Sequence, residues 1–554
     1  MPVVASLPME PAWRVCSKAL LGLSLVTFSV RAHAQDATKA APVTPEPPPE
    51  APKEPPVEVK PDDGRDKPED GTGSVKPEDA PKPTPPPTDK PIEKPAEKPA
   101  EPVETPHKGS FEFGAYGRAV AAANGDGGPG QEADIVAHGS RMDEDNYAEL
   151  ELRREDEWAT TGISTYVVAT IAVASPVFHY SGDFELNAAI RNLYLEARNI
   201  GTPGLSAFAG SRMVRGDDIY VLDYWPLDNL NLLGGGAAYQ HDIGFFGQVA
   251  VGATQPDVPF FKQTVLRPAP LSQFGAVPTP LLNRQKLIGA LKLGYNHTFR
   301  DKPEDSKAGK PGLKAILYGE GHALAEGERE EEPGGATKQL PSDGGFVAGA
   351  QFTAYTGERD THVHIFFRYA GDLAAYGQFA NPGQLGADDT TTGAREIVAA
   401  IGGNAEVDFF GVVAGAYFRS FRDATPTLNY DDVDEGAVVL RPSFFFGEIA
   451  GLSLEGAFQI AQRGVIYQDP ENTAAAPEGP ALASVVRVGL MPFISPAGRG
   501  NFSRPQIRAI YNLGIRSSVA KLLYPEDHPF RERELEHFIG LGAEWWFNSS
   551  SYGF

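Results

Sequence analysis

Phe111-Glu112-Phe113-Gly114-Ala115-Tyr116-Gly117-Arg118-Ala119 is the stretch from which the rest of the chain is read. Successive side chains of a strand point to opposite faces. Phe111, Phe113 and Ala115 therefore share one face, and Glu112, Tyr116 and Arg118 share the other. The pattern returns near Tyr147, where Ala148, Leu150 and Leu152 oppose Tyr147, Glu149, Glu151 and Arg153. Alternating or apolar strand-like runs recur at 163–173, 245–254, 287–296, 363–369, 440–446 and 485–491, separated by loops rich in Gly, Pro, Asp and Asn. In the final run, Ile539, Leu541, Ala543, Trp545 and Phe547 alternate with Phe538, Gly540, Gly542, Glu544 and Trp546. Aromatics gather at its end, as at a membrane interface. One greasy face and one charged face, repeated this often, requires two solvents. The expectation is an all-β, antiparallel transmembrane barrel over 110–554; a soluble β-sandwich normally has fewer strands and no systematic apolar outer face. Either Phe547 or Phe554 is placed to be a terminal assembly signal.

Composition agrees. Alternation hides strands from window averages, so mean hydropathy falls below zero, and no run of 18 apolar residues is present for a membrane helix. The 60 Gly, 31 Phe and 19 Tyr suit a barrel. A net charge of -24 argues against nucleic acid, which is gripped by clustered Lys and Arg, and leaves cation preference open.

The N-terminal part is of another kind. Arg14 and Lys18, the apolar run 19–30, and Ala32-His33-Ala34 before Gln35 predict a cleavable export signal over 1–34. The apolar run is too short to span a bilayer as a helix. Cys16, the single cysteine, precedes it, so neither a lipid anchor at the cleavage point nor a disulfide in the mature chain is expected. Residues 35–109 read as a disordered spacer, with 21 of the 49 prolines between 35 and 108. It is either a solvated linker or a periplasmic arm reaching toward the cell wall or a partner.

Ala209-Gly210-Ser211-Arg212-Met213-Val214-Arg215-Gly216-Asp217-Asp218-Ile219-Tyr220-Val221-Leu222-Asp223-Tyr224-Trp225 resembles the maltoporin segment that runs from a strand into an inward-folded third loop. Further matches follow in order at Gly114 to Arg118, Tyr147 to Leu150, Leu440-Arg441-Pro442, Ser503 to Arg508 and Glu544-Trp545-Trp546. The resemblance covers the whole barrel portion. It implies 18 strands and a homotrimer in the outer membrane, with sugar diffusing passively past a row of aromatics. The length fits 18 strands, and equally 16 with longer loops.

A sugar has apolar C–H faces and a rim of hydroxyls. A channel favouring it offers flat rings to the faces and donors and acceptors to the rim, in weak repeated sites. By resemblance, the aromatic path maps onto Tyr116, Tyr147, Phe446 and Trp546, with Phe184 from the second loop. The polar track maps onto Arg118, Arg141, Glu149, Arg191, Asp218 and Asp223, each of which could also be merely a wet wall. Arg191 shares parity with Leu193 and Leu195, so it faces the lumen only if the strand starts after it or is bulged. Either Tyr224 or Trp225 takes the narrow position in the third loop, and a path phenylalanine of the family aligns with Val347.

Two rivals stand beside the sugar channel: a general or cation-preferring porin, and an envelope anchor for the proline-rich arm. An enzyme is not expected. His362-Val363-His364 lacks a third metal ligand at a telling spacing, and Asp217-Asp218 and Asp431-Asp432 read as solvated loop carboxylates. No cofactor is implied.

Overall fold

The computed structural model describes residues 107–175, 178–179, 182, 186–270, 274–299, 309–425, 431–464, 481–525 and 527–549. The expected leader and nearly all of the spacer lie outside these, as does Phe554. The first strand starts at His107, three residues ahead of the expected boundary at 110.

The first seven strands of the barrel are β1 (His107–Ala123), β2 (Tyr147–Trp158), β3 (Ile163–Ala174), β4 (Asn187–Arg198), β5 (Leu205–Arg215), β6 (Asn229–Gln240) and β7 (Phe245–Thr254). A separate hairpin, β8 (Lys262–Pro268) with β9 (Ala276–Asn283), interrupts them before β10 (Lys286–Thr298) and β11 (Gly312–Leu324). A second hairpin, β12 (Gly327–Glu330) with β13 (Thr337–Leu340), precedes β14 (Asp343–Tyr355) and β15 (His362–Asp372). The last seven are β16 (Arg395–Val407), β17 (Phe410–Arg422), β18 (Val433–Phe446), β19 (Ala450–Arg463), β20 (Leu482–Ile494), β21 (Gln506–Arg516) and β22 (Leu535–Phe547). Apart from the two hairpins, each pairs antiparallel with its neighbours in the chain, and β22 returns to β1, closing an 18-stranded barrel. Closure leaves no free edge, which lipid demands because it cannot hydrogen-bond an open strand.

The expected alternation holds. Leu150 and Leu152 are 51% and 62% exposed on the outer wall, while Glu149 and Glu151 are each 1% exposed on the inner. All six further runs fall inside strands. Short turns such as 159–162 and 241–244 join strands at one end and long loops at the other, the periplasmic and external ends of such barrels.

Loop 1 (124–146) and loop 3 (216–228) fold into the barrel. Loop 3 is held there by its apolar residues: Ile219, Val221, Leu222 and Leu227 are at most 2% exposed. They belong to one apolar cluster with Val398, Val413 and Val439 of the inner wall. The wall leaves room with glycine. A Cβ on Gly402 or Gly415 would collide with Ile219, and one on Gly349 with Leu227. Part of the inner wall is thus a dry anchor for loops, not a wet surface.

Candidate functional site

Barrel closure sets three inward-facing aromatics side by side. Tyr116 of β1 lies opposite Trp546 of β22, and Arg118 lies opposite Tyr147 of β2. The Tyr116 ring is 5.9 Å from Tyr147 and 6.5 Å from Trp546, nearly parallel to the latter at 17°. Tyr116 is only 6% exposed, whereas Tyr147 and Trp546 are half-buried. The open ring area belongs to the outer pair, with Tyr116 bracing them.

Charged groups flank this column. Arg141 sits on a single 3-10 turn of loop 1, begun by Ser140, whose hydroxyl accepts from the Met142 amide. Its guanidinium donates to the Tyr116 hydroxyl at 2.6 Å and to Glu144 at 3.0 Å. It also reaches Asp223 at 3.6 Å and lies 4.5 Å over the Tyr220 ring. Arg118 pairs with Glu144 and donates to the Asp145 carbonyl at 2.8 Å. Glu149 accepts from the Tyr147 hydroxyl at 2.5 Å and pairs with Arg191.

Arg191 reaches the lumen through a bulge. The register between β3 and β4 shifts at Thr170/Ile171, so Thr170 faces Asn192 and Ile171 faces Ile190. Arg191 is the extra residue, which turns it inward with Asn192 while Ile190 and Leu193 stay outside at 61% and 53% exposure.

In loop 3, Asp223 takes the left-handed φ of 45° after the 3-10 turn Tyr220–Leu222. Asp218 is half-buried; desolvation pushes its carboxyl up to about 6, against the pull of Arg141 and with help from Asp223. Glu144 is pushed up to about 7 by desolvation, Arg141 opposing and Asp223 reinforcing. Both can titrate near neutrality, on loops 1 and 3 inside the barrel.

Glu544 of β22, 1% exposed, ties these parts together. It takes Arg504 at 2.6 Å, Arg141 at 3.3 Å, Arg508, and the Tyr220 hydroxyl at 3.0 Å. One carboxylate thereby joins loop 1, loop 3, the turn 495–505 and two wall strands.

Residues 111–547, essentially the whole barrel, match the family described as LamB porin. The chain belongs to the LamB porin family. A LamB porin is a passive channel of the outer membrane, and the lumen described above is its conduit. No curated protein matches the sequence. Among solved structures, the outer-membrane protein OmpT of Vibrio cholerae in its trimer form is 13% identical at a TM-score of 0.38, covering 79% of this chain and 99% of that one. OccK3 of Pseudomonas aeruginosa is 10% identical at 0.36, over 79% and 95% of the two chains. Pseudomonas aeruginosa OpdK with vanillate is 8% identical at 0.34, over 79% and 98%.

The remaining expected path residues of this LamB porin lie elsewhere. Phe446 is 57% exposed on the outer wall, while Phe445 beside it is 6% exposed and points inward. The pairing of β18 with β19 keeps one register on both sides of Pro442, so parity places even-numbered residues such as Leu440, Phe444 and Phe446 outward. Phe184 falls outside the described residues. Val347 faces inward and Phe346 outward, so the row of rings is interrupted there.

Tyr224 and Trp225 are 5% and 8% exposed. Tyr224 stacks on His138 of loop 1 at 3.8 Å, and Arg215 covers the Trp225 ring at 3.9 Å. They fasten loop 3 and offer no open ring face. The loop residue that meets the column is Tyr220, edge-on to Trp546 at 6.1 Å. Sequence reasoning missed it; in the structure it sits between the buried Ile219 and Val221.

His362 and His364 lie 4.3 Å apart, and His364 bonds to Thr353 at 2.8 Å. Among the described residues no three His, Cys, Asp or Glu are grouped to hold a metal. Asp217 is not free either, being paired with Lys314 and Gln351.

Proposed function

We propose that this LamB porin admits neutral oligosaccharides, of the maltodextrin kind, by passive diffusion past Tyr147, Tyr116 and Trp546. The observation that carries the reading is the row of rings with both acceptors and donors beside it, Glu149, Arg191, Arg118, Arg141 and Glu144. Rings take the C–H faces of a sugar, and the paired charges exchange hydrogen bonds with its hydroxyls without favouring one ion strongly. The same reading makes the protein a channel and not an enzyme, and makes the working unit a homotrimer, as the maltoporin resemblance implies. Residues 1–34 are removed on export, and the spacer 35–106 stands in the periplasm, where it is free to touch the cell wall.

One observation favours the general-porin alternative: among the described residues, Val347 and the outward Phe446 stand where the row of wall rings was expected to continue. Liposome swelling separates the two. Maltose to maltotetraose should enter faster than polyethers of equal size. Rates that follow size alone would leave a general porin.

A further inference from the structure

Below the constriction the lumen is not open evenly. The turn 495–505 folds upward into it. Its Phe502 meets Tyr220 of loop 3 edge-on at 5.2 Å and stacks on His362 at 6.4 Å. Its Asn501 donates from its amide nitrogen to Asn404 at 2.7 Å and from its backbone to Glu406 at 2.7 Å. This turn fills the sector from β15 to β21.

The sector from β4 to β10 is different. It holds a cavity of about 750 Å³ lined by Glu196, Arg198, Phe246, Gln248, Lys292 and Asn296, among others. That volume lies within the roughly 300–1,000 Å³ of ligand sites. Its Lys292 pairs with Asp228, the last residue of loop 3 before β6, so the cavity opens directly beneath loop 3. On the same wall, Arg212 is 4.8 Å from the Tyr194 ring and 4.7 Å from Phe208, and reaches Glu196 at 3.1 Å. Arg198 lies 3.9 Å over Tyr166 and reaches Glu196 at 3.0 Å.

We propose that solute leaves the constriction off-centre, down the β4–β10 wall, and that this cavity is a second subsite for neutral, hydroxyl-rich solutes. The subsite rests on the sugar-channel reading and adds to it a place, chemistry and route. Arg198 and Gln248 donate to hydroxyls, Glu196 accepts from them, and Phe246 takes a C–H face. Positive and negative side chains are both present, which suits a neutral polyol better than an anion.

The test is current through the whole protein in a planar bilayer, with maltotriose added to one side at a time. Arg198→Ala and Gln248→Ala should each weaken block from the turn side by about fivefold, the effect of one lost hydrogen bond, and leave block from the loop side unchanged. Turn-side block unchanged in both variants overturns the subsite and leaves the aromatic row standing. No block of the parent protein from either side removes the sugar reading and the subsite with it. The route is read separately with single cysteines introduced into the exported chain, which no longer carries Cys16. A methanethiosulfonate reagent added at the turn side should cut the current of Gln248→Cys and spare Ser453→Cys, which lies behind the turn 495–505. The reverse pattern, or equal loss, overturns the off-centre route whatever the sugar result.

Discussion

Glu544 faces three guanidiniums and a tyrosine hydroxyl from a site with almost no water. Removing one partner of a buried ionic group costs roughly 3–5 kcal/mol, because the others are left uncompensated. Glu544→Gln keeps the shape and leaves Arg141, Arg504 and Arg508 repelling one another. The expected outcome is a folded barrel whose loops 1 and 3 are loosened: noisier open-channel current and a reversal potential shifted toward anions. An unchanged reversal potential would show that the carboxylate only fills space. At this scale Tyr116, Tyr147 and Trp546 were legible, because strand parity alone puts them in the lumen. Tyr220 was not, since inward folding of a loop leaves no periodicity to read. Phe446 was placed by resemblance, and parity then put it outside.

At the scale of elements, loop 3 is held by shape as much as by charge. Ile219 seats between Gly402 and Gly415, where any side chain would meet it. Gly415→Leu should push the loop from the wall and raise single-channel conductance by about twofold or more, with barrel assembly retained because Gly415 faces the lumen and not a neighbouring strand. Conductance equal to the parent would mean that loop 3 does not set the narrow point. The strands could be read from alternation, but the bulge at Arg191 could not. A single extra residue leaves the composition of a run intact, and it showed only as an arginine on the parity of Leu193 and Leu195. The sequence stated the condition for Arg191 to face inward, and the register shift at Thr170/Ile171 meets it.

Over the whole molecule, closure fixes the strand number, which chain length left between 16 and 18. It also brings residues 116 and 546 together, a contact that joins the two ends of the barrel. Charge sets a further property of the whole pore. Burial raises the carboxyls of Glu144 to about 7 and Asp218 to about 6. Each is ionised above its pKa and neutral below it, so acidification from pH 8 to 5 removes two negative charges from the loops inside the barrel. The cation-to-anion permeability ratio should fall over that interval, and Glu144→Gln with Asp218→Asn should flatten the profile. A ratio constant from pH 8 to 5 in the parent protein would place the titrating groups elsewhere.

The rings of Tyr147, Tyr116 and Trp546 are the proposed sugar-binding surface. About 50 Å² of apolar contact on one ring, at about 25 cal/mol/Å², contributes about 1.2 kcal/mol, roughly sevenfold in Kd. The most direct measurement is single-channel current titrated with malto-oligosaccharides. Saturable block is expected in three steps, one per channel of the proposed trimer, weakened about sevenfold by Trp546→Ala and by Tyr147→Ala. A current indifferent to every sugar would contradict it and leave a general porin in its place.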